Sequence, residues 1–192
     1  ALQRGAGGAL VHRRPQDLPA DAPVIEVTDT MRALEDLGRA ARARTAARIA
    51  AVTGSVGKTS TKEALRAVLS KFGATYASIG NLNNQWGAPL SLARMPRDSR
   101  YGVFELGMNH AGEISPLSQM VRPQVAIITT VEPVHIEFFA NVEGIADAKA
   151  EIFDGLQPNG TAILPFDNPH FARLEGKAKR MGARVLTFGA GD

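Results

Sequence analysis

The chain contains no cysteine. This absence excludes disulfide bonds, thiol nucleophiles and zinc–thiolate sites, and it is typical of a reducing compartment, so we expect a cytoplasmic protein. A strong excess of charge of one sign is also missing. Lysine and arginine number 22 against 19 aspartate and glutamate residues, and the net charge of +3 gives no support for a nucleic-acid-binding role.

Long apolar runs are absent as well. A run such as residues 125–128 is far too short to span a bilayer, and the first four residues lack the apolar core of a secretory signal. We therefore expect a soluble protein that is neither exported nor inserted in a membrane. With 192 residues, the chain is long enough to bury one main core without covalent cross-links.

From residue 49 onward, apolar strands, Gly-rich turns and helical patterns alternate with short connections. This alternation is typical of a mostly parallel sheet flanked by helices. The predicted strands span residues 49–53, 74–79, 101–106, 125–130, 161–164 and 184–188. The predicted helices span residues 59–69, 114–121, 142–156 and 171–181. The pattern predicts an α/β doubly wound fold.

The first 48 residues differ in composition from the rest. They are predicted to form a Pro-rich stretch, an extended run and a capped helix, at residues 15–23, at 24–27 and from Thr28 or Asp29 onward. Three residues give that helix one apolar face: Met31, Leu34 and Leu37. An abrupt change from Ala- and Arg-rich to apolar sequence follows Arg48, where we predict a boundary between domains at 1–48 and 49–192.

A phosphate-binding loop is predicted at residues 54–59 (GSVGKT), between an apolar strand and a helical pattern. Glycines let backbone amides approach phosphates, the helix N-terminus adds partial positive charge, Lys58 reaches the outer phosphates and the Thr59 hydroxyl can bind magnesium. The first glycine comes two residues later than in the general Walker A pattern. An ordinary strand-to-helix turn is the alternative, and the loop alone leaves kinases, GTPases and ligases open.

Two residues at or beyond the carboxyl ends of predicted strands are candidate metal ligands. Ligands gather at the carboxyl edge of a parallel sheet, and Glu105 ends a predicted strand there, where it can complete a magnesium site. The alternative is a glutamate that faces water. His135 follows the strand at 125–130 and is a better candidate than the other three histidines, although a loop histidine is usually a surface residue.

Lys149 borders the apolar face of the predicted helix at 142–156, a face formed by Ile145, Ala148, Ile152 and Leu156. One interpretation is a lysine whose stem packs on apolar surface while its ammonium stays in water. In the other, desolvation favours the neutral amine, which reacts with CO2 to give a carbamate that can bind metal. The residues alone do not decide between the two.

Taken in order, five segments resemble the Mur ligases of peptidoglycan synthesis. They are residues 53–59 (TGSVGKT), 80–89 (GNLNNQWGAP), 105–109 (ELGMN) with 112–114 (GEI), His135, and 148–152 (AKAEI). The segments at 81–84 and 148–152 resemble the branch that adds a dipeptide rather than a single amino acid. The resemblance implies three domains, which bind the UDP end of a precursor, ATP, and the incoming amine.

Under this resemblance, residues 1–48 are the end of the first domain plus a linker, and residues 49–192 are most of the P-loop ATPase domain. We expect the chain without the third domain to be inactive. The implied ATP contacts are Gly54, Ser55, Gly57, Lys58, Thr59 and Ser60. The implied ligands of two magnesium ions are Thr59 with Glu105 for one, and Glu105, His135 and carbamylated Lys149 for the other.

The resemblance also places Asn83 and Asn84 near the phosphates and the substrate, and Asp167 and Asn168 near the adenosine. Simple turns are the alternative at both places. The implied catalytic residues are Lys58, Glu105, His135 and Lys149.

The implied reaction joins UDP-N-acetylmuramoyl-tripeptide to D-alanyl-D-alanine through an acyl phosphate, in an enzyme that is a monomer when complete. Two rival functions are a folylpolyglutamate synthetase, against which the segment at 81–84 argues, and a non-catalytic nucleotide-binding module.

Overall fold

The computed structural model describes residues 5–134 and 136–190. The N-terminal part contains β1 (Ala9–Val11), β2 (Val24–Glu26) and α1 (Thr30–Ala43). The elements that follow are β3 (Arg48–Thr53), α2 (Lys58–Leu69), β4 (Thr75–Ala77), α3 (Gly87–Arg94), β5 (Tyr101–Glu105), α4 (Ile114–Val121), β6 (Val125–Ile128), α5 (Val142–Ala150), β7 (Thr161–Pro165), α6 (Phe171–Arg180) and β8 (Arg184–Phe188). Short 3-10 turns occupy Ile136–Phe138 and Glu151–Gly155.

Six strands form one parallel sheet in the spatial order β4-β5-β3-β6-β7-β8. After β3 the chain builds β4 and β5 on one side and then crosses to β6, β7 and β8 on the other. The carboxyl end of β3 is therefore the point where the strand order reverses. Ligands of open α/β sheets bind in the crevice at such a point.

The two faces of the sheet pack against different helices because side chains alternate along each strand. Ile49 and Ala51 of β3 belong to a large core that also includes residues of α3, α4, α5 and α6. Val52 belongs to a smaller core, against which Leu65 and Leu69 of α2 pack. The predicted α/β fold with a mostly parallel sheet and flanking helices is therefore confirmed.

Element ends differ from the predictions by a few residues. The predicted helix at 142–156 is α-helical only to Ala150 and continues as the 3-10 turn Glu151–Gly155. β1 and α3 were not predicted. The predicted apolar face of α1 is partly wrong, because Leu37 is 51% exposed and the buried positions are Gly38, Ala41 and Arg42.

Helix α1 packs directly on α3 and α4. Asp29 caps its N-terminus by accepting hydrogen bonds from the amides of Met31 and Arg32. Arg42 lies near its other end and donates to the carbonyls of Val121 and Arg122 at 2.7 and 2.9 Å. The domain boundary near Arg48 thus follows a helix that already contacts the sheet domain, and its position stays a prediction. Among the described residues, no helix is long and apolar enough to cross a bilayer.

Candidate nucleotide and metal site

The predicted phosphate loop connects β3 to α2 at the point of strand reversal. Gly54 and Gly57 have φ values of 148° and 84°, which strongly favour glycine. A Cβ atom on Gly54 would lie 1.9 Å from the Thr129 hydroxyl of the neighbouring chain segment after β6. Because α2 begins at Lys58, its first backbone amides have no partners within the helix. The loop thus combines close packing against β6 with a helix N-terminus suited to an anion.

Ser55 holds the loop against the segment that leads from β6 to His135. Its buried hydroxyl donates to the carbonyl of Glu132 at 2.9 Å and accepts from the amide of Glu132 at 2.8 Å. Its own amide donates to the carbonyl of Thr130 at 2.9 Å. The Ser55 side chain is therefore part of the scaffold of the loop, and its predicted contact with ATP stays a prediction.

Lys58 is half-buried, and its ammonium bends back onto the loop. It donates to the carbonyls of Gly54 at 2.7 Å and Ser55 at 3.3 Å. Burial lowers the pKa of Lys58, and the carboxylate of Glu105 opposes that shift. A phosphate oxygen is a stronger acceptor for an ammonium than a carbonyl, so an entering phosphate can take over these hydrogen bonds. Ser60 lies exposed in the first turn of α2.

Glu105 is the hub of the site. Glu105 is only 3% exposed, so the alternative of a glutamate facing water is wrong. One oxygen accepts from the Thr59 hydroxyl at 2.8 Å, and the other accepts from the Asn83 amide at 2.8 Å. The backbone amide of Glu105 donates to the Ser78 hydroxyl at 3.2 Å. Three chain segments therefore fix one carboxylate beside the phosphate loop.

The spacing of Thr59 and Glu105 fits a magnesium ion. Mg²⁺ binds oxygen at 2.0–2.1 Å in an octahedron, so two adjacent ligand oxygens lie about 2.9 Å apart. The Thr59 and Glu105 oxygens are 2.8 Å apart. Within residues 5–134 and 136–190, no cluster of three or more His, Cys, Asp and Glu residues is present. The predicted metal ligand His135 lies outside the described residues.

The two asparagines have different surroundings. Asn83 contacts Glu105, and its carbonyl accepts from the Gly107 amide at 2.8 Å. The side-chain oxygen of Asn84 instead accepts from the amides of Trp86 and Gly87 at 3.1 and 3.0 Å. Asn84 thus forms the turn that the sequence left open as an alternative, at the start of α3, whereas Asn83 belongs to the Glu105 array.

Lys149 is 4% exposed and lines a cavity of about 120 Å³ together with Lys58, Thr53, Asn83 and Asn109. Burial, together with a smaller effect of the Lys58 ammonium, lowers the pKa of Lys149 to about 7. The interpretation with an ammonium in water is therefore wrong. The Thr53 hydroxyl is buried and has no hydrogen-bond partner among the described residues. Two lysines and an unpaired hydroxyl suit an anionic group such as phosphate.

A second cavity, of about 340 Å³, lies beside the first and shares Asn83, Gly107, Met108 and Asn109 with it. Glu35 and Arg39 of α1 line its other side. This cavity connects the N-terminal helix to the Glu105 array, and its mixed charge suits a polar substrate.

The segment with Asp167 and Asn168 follows β7 at the same edge of the sheet. The Asn168 side chain is buried and donates to the carbonyl of Val131 at 3.1 Å and to the Thr130 hydroxyl at 3.3 Å. Asp167 is exposed. Asn168 therefore holds the chain after β6 in place, and the predicted proximity of this segment to adenosine stays a prediction.

Two charged residues of this region were not singled out from the sequence. Glu151 accepts from the amides of Gly112, Ile114 and Ser115 at 2.6, 3.1 and 3.1 Å, and so caps the N-terminus of α4 from another element. Lys62 of α2 is fully buried. The only sequence signals were a glutamate and a lysine on helical patterns, which are usually solvent-exposed.

A glycine loop at the point of strand reversal, followed by a helix that supplies Lys58 and Thr59, defines an α/β nucleotide-binding domain of the P-loop type. The chain belongs to the Mur ligase family, because the family model described as the Mur ligase middle domain matches residues 52–192. The resemblance found in the sequence is thereby confirmed.

Known proteins support the same assignment. The UDP-N-acetylmuramoyl-tripeptide--D-alanyl-D-alanine ligase of Escherichia coli is 44% identical over 164 residues, which are 85% of this chain and 36% of that protein. A crystal structure of MurF from Acinetobacter baumannii superposes with a TM-score of 0.88 at 37% identity and covers 99% of this chain and 41% of that one.

MurF from Thermotoga maritima in complex with ADP gives a TM-score of 0.82 at 30% identity, with 98% of this chain and 42% of that chain covered. The chain thus spans about 40% of the length of the proteins that it matches. These comparisons establish the family and the fold, whereas the roles of individual site residues stay predictions.

Proposed function

We propose that the chain is the central part of an ATP-dependent ligase that joins UDP-N-acetylmuramoyl-tripeptide to D-alanyl-D-alanine, with ATP hydrolysed to ADP and phosphate. The hydrogen-bonded array of Thr59, Glu105 and Asn83 beside the phosphate loop carries the proposal, since it sets two oxygens with the spacing of magnesium ligands next to the predicted nucleotide site. The names of the Escherichia coli relative and of the ADP-bound structure support the choice of substrates and nucleotide.

The reaction takes place in two steps. A carboxylate is a poor electrophile, so the terminal carboxylate oxygen of the tripeptide attacks the γ-phosphorus of ATP, the bond to the β-phosphate oxygen breaks, and an acyl phosphate and ADP form. The amine nitrogen of the dipeptide then attacks the acyl carbon, phosphate leaves with the bonding electrons, and the nitrogen loses a proton. Lys58 neutralises charge on the phosphoryl oxygens, which is the main electrostatic requirement of the first step.

Magnesium fits the residues at the loop. Thr59 and Glu105 would hold one ion, and Glu105, His135 and a carbamate on Lys149 would hold a second. When bound, the ions neutralise the phosphate oxygens and orient them. Asn83 keeps the Glu105 carboxylate in place through its hydrogen bond of 2.8 Å. The backbone amides at residues 54–59 bind the phosphates, and the cavity beside α1 receives the tripeptide end of the precursor.

We further propose that the Lys149 amine reacts with CO2. The nitrogen forms a bond to the carbon of CO2 and loses a proton, and the product carries a negative carboxylate in place of a buried cation. The pKa of about 7 supports this step, because it leaves much of the amine neutral and reactive. The domain division near Arg48, the cytoplasmic location and the monomeric state stay predictions.

The test uses the complete enzyme that contains this chain. We expect Lys58→Ala to abolish phosphate release with both cosubstrates present. The control is Lys71→Ala, which removes the same charge from an exposed position just beyond α2. Near-normal turnover of the Lys58 variant would refute the role of the loop.

The rival functions are separated by a change of substrate. Phosphate release that depends on the muropeptide and the dipeptide supports the proposed ligase, whereas release that depends on a folate and glutamate supports a folylpolyglutamate synthetase. Calorimetry with ATP and Mg²⁺ completes the comparison. Nucleotide binding with no turnover on either substrate pair supports a non-catalytic nucleotide-binding module.

A further inference from the structure

Lys62 is a buried cation that none of the roles proposed above uses. It lies on α2, one turn after the phosphate loop, and it is 0% exposed. Its ammonium donates to the carbonyls of Ser78 at 2.7 Å and Gly80 at 3.0 Å. Glu63 is 3.3 Å away, but that carboxylate is 45% exposed and also bonds Arg66. The main partners of the buried ammonium are therefore two backbone carbonyls.

These two carbonyls lie at the start of the turn at residues 80–84, which carries Asn83. Gly80 has a φ of 58°, so the chain changes direction where Lys62 binds it. Ser78 also contacts the site directly, since its hydroxyl accepts from the amide of Glu105. Lys62 thus acts on Glu105 along two routes, through Ser78 and through the turn that presents Asn83.

The third partner of Glu105 comes from the same helix as Lys62. Thr59 lies three residues before Lys62, on a neighbouring position of the helix surface, and donates to Glu105. The buried ammonium therefore fixes the distance between the helix that carries Thr59 and the turn that carries Asn83. Since the Glu105 carboxylate lies between these two donors, a change in that distance displaces it from at least one of them.

Burying an ammonium is unfavourable unless its hydrogen bonds are replaced, and an apolar side chain would fill the same space without that cost. An ammonium differs from an apolar side chain because its hydrogen bonds are directional, so it fixes the positions of the carbonyls that it binds. We propose that Lys62 is a positioning residue, which holds the turn at residues 80–84 so that Asn83 and Thr59 grip Glu105 together. An effect of Lys62 on ligase turnover rests on the function proposed above, whereas its effect on the conformation of residues 80–84 does not.

Hydrogen–deuterium exchange on the complete enzyme, without nucleotide, metal or substrate, tests the proposal. Lys62→Met keeps the length of the stem and removes the donors. We expect the hydrogen-bonded amides of this turn, those of Leu82, Asn83, Trp86 and Gly87, to exchange at least about tenfold faster, because the turn loses both anchors. Lys62→Gln keeps a neutral donor and should give a smaller increase in the exchange rates. If the methionine variant does not fold, the glutamine variant provides the test.

The structure offers a matched control in Arg42→Met. Arg42 is also a buried cation that donates to two backbone carbonyls, but these lie at the C-terminus of α4, at the opposite end of that helix from the loop at 107–113. We expect faster exchange around Arg122 in this variant and no change at residues 79–87. Exchange at 79–87 that is unchanged in the Lys62 variants, or that rises equally in the Arg42 variant, overturns the proposal.

The concentration of Mg²⁺ needed for nucleotide binding gives an independent measurement. Loss of groups that orient a metal ligand typically weakens metal binding 10–100-fold. We expect Lys62→Met and Asn83→Ala each to raise the required concentration about tenfold, and the double variant to raise it by clearly less than the product of the two, because both changes remove the support that the turn gives to Glu105. Fully additive effects contradict the proposal. If the complete enzyme shows no ligase turnover but the exchange rates change as expected, the proposed function is contradicted and the positioning role of Lys62 is not.

Discussion

The buried amine of Lys149 is expected to titrate near neutral pH. Its pKa falls from 10.5 to about 7, first because burial disfavours the ammonium and second because Lys58 is nearby. A shift of about 3.5 units corresponds to about 5 kcal/mol. At pH 7 the neutral fraction of the amine rises from about 0.03% in an ordinary lysine to about one half.

The direction of the pH effect follows from proton binding. Between pH 7 and 10.5 the unfolded chain holds a proton on Lys149 and the folded chain does not. The free energy of unfolding therefore rises with pH across this window, by up to about 1.4 kcal/mol per pH unit. Below pH 7 both states are protonated, so the full penalty for burying the ammonium is present. Lys149→Met removes the group, so its stabilising effect should be largest below pH 7 and fade towards pH 10.5.

The assay is an NMR titration of the lysine side chains in the complete enzyme, with Lys149→Met used to assign the signal. Lys58→Met should raise the pKa of Lys149 but leave it well below 10.5, because burial is the larger cause. With ¹³C-labelled bicarbonate, a carbamate signal should appear in the wild type and be absent from Lys149→Met. A Lys149 pKa of about 10 would refute the effect of burial. A pKa that is the same in the wild type and in Lys58→Met would refute the effect of the Lys58 ammonium.

A carbamate at this position also has a kinetic consequence. Lys149→Ala leaves a small space beside Lys58 and removes the carboxylate, so we expect phosphate release to be lost. An added small carboxylate such as acetate should restore part of it. Activity that is unchanged in the alanine variant contradicts the role of Lys149.

Two further predictions concern the scaffold of the site. Gly54→Ala should abolish binding of Mg²⁺-ATP in calorimetry and lower the free energy of unfolding by about 1–3 kcal/mol. The reason is that the new Cβ would lie 1.9 Å from the Thr129 hydroxyl and that φ is 148° at this residue. Normal nucleotide binding by this variant would contradict the close packing of Gly54 against Thr129. Glu151→Gln should destabilise the protein by about 1–2 kcal/mol in urea unfolding, since its carboxylate accepts from three amides at the start of α4. The control Glu143→Gln, at an exposed position of α5, should change stability by less than about 0.5 kcal/mol.

The local parts of the site were predictable from the sequence. The phosphate loop is one contiguous segment with glycines at fixed places, and its flanking strand and helix have clear apolar patterns. The position of Glu105 followed from the end of a strand, because parallel strands bring their carboxyl ends to one edge. The burial of Lys149 was left open, since a lysine beside an apolar face packs in either of two ways.

The remaining parts depend on contacts between distant segments. Lys62 and its carbonyl partners are 16 and 18 residues apart in the chain, and Glu151 binds amides 36 to 39 residues before it. Helix α3 begins with Gly87 and contains Pro89, which hid its helical pattern. Its position depends on α1, where a Cβ on Gly38 would lie 2.8 Å from Pro89. Such contacts leave no periodic signal in the sequence.

The alternation of side chains along β5 explains why Glu105 faces α2. Phe104 lies in the large core and Val103 in the smaller one, so Glu105 points to the same face as Val103, where α2 lies. Thr59 on α2 can therefore bind it. Lys149 lies on α5, which packs on the face of the large core. It nevertheless lines the same cavity as Lys58, because the two lysines lie near each other at the carboxyl ends of the strands. The contact between Thr59 and Glu105 is thus a consequence of strand register, and a slip of β5 by one residue would bring Phe104 to the face of α2 and abolish the array.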